Sequence, residues 1–221
     1  MKEIKKHKKK NKMGCGGSTA SAVTNAVKGE KARVVFVIGG PGSGKGTQCT
    51  KIKDEFNYNH MSTGDILRNV VKNKQGSTWQ ALEADMKEGR LISSDKLITY
   101  VKLGISTSKN KKILLDGFPR NQDNINEWNK QMKNVADVVA VVYFEVPDDV
   151  MKQRLLGRNE GRADDNEETI AKRLETFNAE TKPVIDTYEK EGKLIKIDAT
   201  KSVDDVFADV KAKFMEKKLY Q

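Results

Sequence analysis

The sequence predicts an α/β protein built on a parallel β-sheet, and three observations support this class. Continuous β-branched and apolar runs are typical of strands buried on both faces, and they occur as RVVFVI (33–38), KKILLD (111–116), DVVAVVYFEV (137–146) and KLIKID (193–198). Amphipathic helical patterns lie between these runs. A glycine-rich segment follows the first run directly. Strands that alternate with helices indicate βαβ units and hence a parallel sheet.

Apolar side chains three and four residues apart predict helices in the intervening segments. The clearest predicted ranges are 63–71, 94–105, 166–183 and 203–218. Ser62 and Asp65 form a start signal for the first of these helices, and we expect Ser94 to cap the second.

Length and composition place the chain among intracellular globular proteins. Its 221 residues, of which 37% are hydrophobic, can bury a core in one main domain. No apolar stretch approaches the roughly 18 residues of a membrane helix, and no cleavable signal is visible. Two cysteines provide no disulfide framework, which favours a reducing compartment.

The net charge of +10 belongs almost entirely to the amino-terminal segment. Residues 1–12 are rich in lysine, and the following residues are rich in glycine, serine and alanine. We therefore predict a disordered tail over 1–32 and a folded domain over 33–221. The nearly neutral domain has no basic stripe interleaved with aromatic side chains, so we expect no nucleic-acid partner.

The segment GGPGSGKGTQ (39–48) matches a phosphate-binding loop except at one position. The usual pattern is G-x-x-x-x-G-K-[ST], in which a hydroxyl beside the lysine ligates magnesium. Here Gly46 follows Lys45, and the hydroxyl comes one residue later, at Thr47. Glycines let backbone amides approach phosphates, and the lysine adds a point charge. The alternative is a glycine-rich turn with a solvated lysine.

Asp116 ends the run KKILLD and offers another way to hold the metal. The carboxyl end of this strand lies near the loop in a parallel sheet, so Asp116 is expected to hold Mg²⁺ through bound water. The alternative is that Asp116 serves as a cap or turn residue.

Six arginines supply the positive charge that phosphoryl transfer requires around the moving group. They are Arg68, Arg120, Arg154, Arg158, Arg162 and Arg173. For each one taken alone, a solvated surface arginine is the alternative.

Four motifs occur in the order and spacing of the short-lid nucleoside monophosphate kinases, the adenylate kinase family, which this chain resembles over about residues 33–218. The motifs are GGPGSGKGTQ, STGDILR, DGFPRNQDN and GRADDNEETIAKRL. Within that family, DGFPRNQDNINEWN resembles the UMP/CMP kinases rather than the adenylate kinases. The resemblance implies a P-loop three-layer fold with a five-stranded parallel sheet, an NMP-binding flap at about 62–92 and a short lid at about 157–165.

The resemblance also implies ATP and Mg²⁺ as cofactors and a role for each matched residue. Residues expected to bind ATP are Gly40, Pro41, Gly42, Ser43, Gly44, Gly46, Thr47, Arg154 and Lys201. Residues expected to act in catalysis are Lys45, Arg120, Arg158, Arg162 and Arg173. Residues expected to line the acceptor nucleotide are Thr63, Arg68, Arg90, Ile92, Gly117, Asn124, Asp164 and Asp165.

Asn124 is the residue expected to read the base, because it stands where adenylate kinases carry a longer glutamine. Its amide presents a donor and an acceptor, so by flipping it would serve either cytosine or uracil. The alternative is an asparagine that caps the next helix.

Two departures from the family pattern bear on function. The lid GRNEGRADDN is two residues shorter than the usual short lid, and Thr63 is the residue of adenylate kinases, where UMP/CMP kinases have alanine.

The leading hypothesis is a monomeric, cytoplasmic UMP/CMP kinase of pyrimidine biosynthesis, and the runner-up is an adenylate kinase. A GTPase-like switch is disfavoured because no N-K-x-D run is present, and a silent scaffold because every arginine of the pattern is present.

Localisation can be tested at Met13, which opens MGCGGS and so matches the N-myristoylation pattern, with Cys15 available for a second acyl chain. One chain binds membranes only marginally and two bind stably. We therefore expect a form starting at Met13 to partition to membranes in acylating cells, Gly14→Ala to stay soluble and Cys15→Ser to be intermediate, as measured by fractionation. An intact, unmodified Met1 terminus in mass spectra of the native protein would contradict this.

The alternatives to acylation are a plain linker after Met13 and a lysine block that acts as a nuclear address or a weak lipid contact.

Overall fold

A computed structural model describes residues 30–74, 76, 79–157 and 166–221 of the chain. Residues 31–221 form one compact unit. The predicted tail, including Gly14 and Cys15, lies almost wholly outside the described residues. Within the described ranges, no helix is long and apolar enough to cross a membrane.

The predicted α/β class and parallel sheet are confirmed. The strands of the described residues are β1 (Ala32–Gly39), β2 (Asn59–Ser62), β3 (Lys112–Asp116), β4 (Ala136–Glu145) and β5 (Leu194–Asp198). They pair in parallel in the order β2-β3-β1-β4-β5. The chain moves from β1 to one side for β2 and β3 and then crosses to the other side, which places the carboxyl end of β1 where ligands bind in such sheets.

Helices connect the strands and flank the sheet. In chain order they are α1 (Lys45–Phe56), α2 (Thr63–Lys72), α3 (Trp79–Lys87), α4 (Ser94–Thr107), α5 (Gln122–Met132), α6 (Asp148–Leu156), α7 (Glu167–Thr176), α8 (Lys182–Lys190) and α9 (Val203–Glu216). The helix α2 begins as predicted, because the Ser62 side chain accepts a hydrogen bond from the backbone amide of Asp65 at 3.3 Å.

Two local predictions need correction, and one strand was not predicted. Ser93, not Ser94, precedes α4, and the Ser94 hydroxyl accepts a hydrogen bond from Asn124 instead. The helix predicted over 166–183 is interrupted by a π-helical turn, Phe177–Thr181, before α8 continues. The strand β2 has no separate prediction from its residues, because NHMS is short and none of its four residues is fully buried.

The core lies on both faces of the sheet and is densest around β1. Val34 to Ile38 are all buried, as the apolar run requires. The Phe36 ring makes edge contacts with Phe118 and Trp128 at centroid distances of 5.0 and 4.8 Å. This packing anchors the strand from which the glycine-rich loop emerges.

A second aromatic group joins α9 to the amino-terminal part of the sheet. Phe214 is fully buried, stacks on Phe56 at 5.2 Å and meets Tyr58 edge-on at 6.1 Å. The Tyr58 hydroxyl donates to the carbonyl of Leu219 at 2.7 Å. These contacts attach the carboxyl-terminal helix to the domain.

We expect Phe214→Ala to lower the free energy of unfolding by about 3–5 kcal/mol, because it removes a buried ring and leaves a cavity. Met215→Ala is the matched control, since Met215 is the next residue and is half exposed. It should change stability by about 0.5 kcal/mol or less. Urea denaturation of both variants measures the difference, and equal losses in the two would contradict this account of the packing.

Candidate active site

The turn between β1 and α1 forms the glycine-rich loop, and its shape depends on two glycines. Gly42 and Gly44 have φ of +80° and +85°, which L side chains rarely adopt. A Cβ at Gly42 would also lie 2.6 Å from the carbonyl oxygen of Met151 in α6. Gly42 therefore lets the loop pass close to α6, while the start of α1 points at the cavity beyond. Free amides at a helix start attract anions.

Lys45 begins α1 and turns its ammonium group back towards the loop. Its Nζ donates to the carbonyls of Gly39 and Gly40 at 2.7 and 2.8 Å and lies 3.3 Å from the Ser43 hydroxyl. Desolvation beneath the loop lowers the pKa of Lys45 from its usual 10.5 to about 8; the Asp116 carboxylate opposes this shift, and Arg120 and Arg173 add to it. The ammonium is thus still charged at neutral pH.

A large cavity of about 760 Å³ opens beside this loop. Of the residues expected to bind ATP, those that line it are Pro41, Gly42, Ser43, Gly44, Gly46, Thr47, Arg154 and Lys201. Gly40 differs from that expectation, because it is buried and a Cβ there would strike the Met151 side chain. At Gly46 a Cβ would meet no heavy atom within 4 Å, so packing does not explain the missing hydroxyl.

Asp116 is the last residue of β3 and lines the same cavity. Its Oδ2 lies 3.4 Å from His60 Nε2, and its buried Oδ1 has no hydrogen-bond partner among the described residues. An anionic oxygen without a donor suits Mg²⁺, which prefers oxygen ligands and keeps bound water. The cap alternative does not fit, since Asn121 caps the following helix α5.

A smaller cavity lies between the helices α2 and α3 and the start of α5. It is lined by residues expected at the acceptor nucleotide, namely Thr63, Arg68, Arg90, Ile92 and Asn124. Arg120 and Arg173 also line it, and both line the large cavity as well. These two arginines therefore border both spaces.

Gly117 shapes the turn that carries Arg120. It has φ of +76°, and a Cβ there would lie 3.0 Å from both Arg120 Nη2 and Thr63 Oγ1. Arg120 Nε donates to the Gly117 carbonyl at 2.9 Å, and the Thr181 hydroxyl donates to the Arg120 carbonyl at 2.7 Å. The turn thus holds the guanidinium group near the carboxyl end of β3.

The Asn124 side chain is buried and held at both ends. Its Oδ1 accepts from the backbone amide of Arg120 at 2.9 Å, and its Nδ2 donates to the Ser94 hydroxyl at 2.7 Å. Because a backbone N–H requires an acceptor, a flip of the amide would lose this bond. Asn124 is therefore not the cap of α5, and its hydrogen bond from Arg120 opposes the flip expected from the sequence. One N–H and one lone pair of the amide are not used by these two bonds.

Thr63 is buried and its hydroxyl already has partners. Oγ1 lies 3.1 Å from the carbonyls of Asp116 and Gly117, so its hydrogen is donated to the backbone. The side chain therefore connects the start of α2 to the end of β3. These two backbone contacts explain the threonine at this position without a contact to adenine.

The two arginines of the predicted flap segment, 62–92, are paired with carboxylates of their own segment. Arg68 pairs with Asp65 three residues earlier, and Arg90 pairs with Asp85 and Glu88. Both arginines are partly exposed, so each pair contributes little to stability. A phosphate group can replace such carboxylates at low cost.

Arg154 and Lys201 also line the large cavity. Arg154 Nη1 donates to the carbonyl of Ala199 at 2.9 Å, just after β5. Lys201 pairs with Asp209 at 2.7 Å, and this hydrogen bond raises the pKa of the lysine. The predicted residues Arg158, Arg162, Asp164 and Asp165, with most of the lid at 157–165, lie outside the described residues.

Several residues that position the site have no motif to identify them. Ser94 holds Asn124, Thr181 holds the backbone of Arg120, and His60 contacts Asp116. Each contact joins residues at least 30 positions apart, so neither periodicity nor local spacing reveals it. Only the position of His60 in a strand next to β3 gives a signal, and that signal requires the sheet order.

Known proteins are similar in sequence to most of this chain. The family model described as adenylate kinase matches residues 37–193. UMP-CMP kinases of Rattus norvegicus and Homo sapiens are each 45% identical over 188 residues, which cover 81% of this chain and 95% of the relative. UMP-CMP kinase 1 of Oryza sativa is 44% identical over 192 residues, covering 85% and 76%. With its glycine-rich loop, its basic residues around two joined spaces and these similarities, the chain belongs to the adenylate kinase family of nucleoside monophosphate kinases.

Proposed function

We propose that this enzyme transfers the terminal phosphoryl group of ATP to CMP and UMP in the cytoplasm, as a monomer, and so supplies pyrimidine nucleoside diphosphates. The observation that carries the proposal is that Arg120 and Arg173 line both the large cavity beside the loop and the smaller cavity beside the flap. A donor in the first space and an acceptor in the second would meet at these two guanidinium groups.

The loop and Lys45 bind the ATP phosphates in this scheme. The free amides at the start of α1 face the phosphate oxygens, and the Lys45 ammonium exchanges the carbonyls of Gly39 and Gly40 for the transferring group. A carbonyl is a neutral acceptor, so exchange for an anion strengthens the interaction. Arg154, which donates to the carbonyl of Ala199 after β5, lines the same space.

Mg²⁺, when bound near Asp116, would neutralise charge on the phosphates. The buried Oδ1 of Asp116 offers the oxygen that such an ion requires, directly or through water. This arrangement makes a loop hydroxyl dispensable, which fits Gly46 at the usual serine or threonine position.

The transfer itself needs no general base. The bond between the γ-phosphorus and the bridging oxygen of ATP breaks and leaves ADP, while an oxygen of the acceptor phosphate forms the new bond. That oxygen is already anionic, so no proton has to be removed. The protein has to bring two anions together and to stabilise the charge between them, which is the role we assign to Lys45, Arg120 and Arg173.

The pyrimidine preference rests on Asn124 and on the similarity to UMP-CMP kinases. Asn124 lines the acceptor cavity, and its fixed amide keeps a second N–H and a second lone pair, which suit a pyrimidine edge of donors and acceptors. Thr63 does not argue for adenine, because its hydrogen is donated to two backbone carbonyls.

Lys45→Met should lower kcat by roughly 100-fold or more, because it removes a preorganised positive charge from the transferring group. The matched control is Lys51→Met on the same helix, where the lysine pairs with Asp204 at 2.8 Å on the surface. Steady-state turnover of CMP with Mg·ATP should be nearly normal in the control. Near-normal turnover in the Lys45 variant, with its fold verified by circular dichroism, would refute the role of the loop.

The kcat/KM for CMP or UMP should exceed that for AMP by at least roughly tenfold, the worth of about one well-placed hydrogen bond. Asn124→Gln should narrow this ratio, because the longer side chain cannot keep its bonds to both Arg120 and Ser94. Asn126→Gln, an exposed position two residues away, should leave the ratio unchanged. A panel of monophosphates assayed with each variant gives the answer, and equal or better use of AMP by the wild-type enzyme would indicate an adenylate kinase instead.

A further inference from the structure

Three side chains, of which the proposed phosphoryl transfer uses only Asp116, form a cluster in the domain. Cys49 of α1, His60 of β2 and Asp116 of β3 each present one ligand atom, and these atoms all lie within 4.8 Å of one another. Cys49 and Asp116 are buried and His60 is partly buried. The cluster joins three elements that only the sheet brings together.

The carboxylate at the centre of the cluster is incompletely satisfied. Asp116 is only 8% exposed, and its buried Oδ1 has no hydrogen-bond partner among the described residues. The contact of Oδ2 with His60 Nε2, at 3.4 Å, is longer than an ordinary hydrogen bond. A buried acceptor left in this state costs free energy, which a bound cation would recover.

The spacing of the ligand atoms suits a tetrahedral ion. With bonds of about 2.0–2.2 Å to nitrogen and oxygen, two ligands of one Zn²⁺ ion stand about 3.4 Å apart. His60 Nε2 and Asp116 Oδ2 have this separation. The Cys49 sulfur lies within 4.8 Å of the other two ligand atoms, and a shift on the order of 1 Å would bring it to the separation of about 3.6 Å that three bonds to one ion require.

The chemistry of the three ligands selects the kind of metal. A thiolate, an imidazole and a carboxylate suit Zn²⁺, Co²⁺ and Cd²⁺, whereas Mg²⁺ prefers oxygen alone. His60 and Asp116 both line the large cavity, so the fourth position would be open to water or to a phosphate oxygen. Zn²⁺ sites with three protein ligands keep such an open position.

We propose that Cys49, His60 and Asp116 form a binding site for Zn²⁺ and similar borderline-soft cations, and that the bound ion inhibits the kinase. As the metal–sulfur bond forms, the proton of the Cys49 thiol passes to solvent. The bound ion engages the carboxylate that we assign to Mg²⁺, so the two metals compete. The binding site stands independently of the proposed function, while the inhibition rests on it.

Binding is tested with the full-length chain, without nucleotide, by titration with Co²⁺. We expect the sulfur-to-cobalt charge-transfer band and the visible bands of a tetrahedral site, both abolished by added Zn²⁺. The chain has only two cysteines and two histidines, so Cys15 and His7 of the tail are the competing ligands. Cys15→Ala should keep the bands and Cys49→Ala should lose them.

Two results would overturn the site: wild-type protein without a thiolate band, or bands that persist in Cys49→Ala and vanish in Cys15→Ala. His60→Gln serves as a second variant in case Cys49→Ala does not fold, and it should lose the tetrahedral bands while the thermal unfolding transition remains.

Inhibition is tested at saturating Mg·ATP and CMP, with free Zn²⁺ set by a metal buffer. Cys49→Ala should raise the Zn²⁺ concentration for half-inhibition by at least tenfold while its uninhibited kcat stays normal, and Cys15→Ala should behave as wild type. Equal sensitivity of Cys49→Ala and wild type would overturn the inhibition even if Co²⁺ binds. Absence of any CMP or UMP kinase activity would instead refute the proposed function and leave the metal site standing.

Discussion

The structure depends on holding several cations close together at one edge of the sheet, and backbone carbonyls at the strand ends do much of this work. Lys45 donates to the carbonyl of Gly39 at the end of β1, Arg120 to that of Gly117 after β3, and Arg154 to that of Ala199 after β5. In a parallel sheet these strand ends lie at one edge, so the acceptors are brought there by the fold itself.

Carbonyl acceptors matter because they orient a cation without cancelling its charge. The lowered pKa of Lys45, caused first by desolvation, shows that the charge at this edge is costly in the free protein. A phosphate that enters the cavity would relieve that cost, since it supplies the missing negative charge. The desolvation that disfavours the charged form of Lys45 therefore favours binding of an anion beside it.

Arg68 and Arg90 differ from these residues, because they are paired with carboxylates of their own segment and not with backbone carbonyls. Exposed pairs of this kind are weak and exchange readily with solvent or ligand. Asp116 stands between the two arrangements, facing Lys45 electrostatically and His60 at 3.4 Å, with one oxygen unpaired among the described residues. Both the proposed Mg²⁺ ion and the proposed inhibitory cation would bind to this residue.

The sequence by itself determined the features that depend on neighbouring residues. The buried runs at β1, β3, β4 and β5 predict the parallel sheet, since strands covered on both faces need continuous apolar side chains. Gly42, Gly44 and Lys45 are readable because a loop of this shape needs left-handed φ values and a charge at fixed offsets. The matched motifs identify the family for the same reason: each is a short local pattern.

The tertiary structure alone decided what depends on residues far apart in the chain. The edge strand β2 carries too little buried apolar surface to be read from NHMS, and the π-helical turn at Phe177–Thr181 interrupts a pattern that is helical on both sides. The orientation of the Asn124 amide is decided by Ser94, and the cluster of Cys49, His60 and Asp116 exists only because α1, β2 and β3 converge. Such contacts leave no periodic trace in a sequence, since it is the packing of whole elements that sets the distances between these side chains.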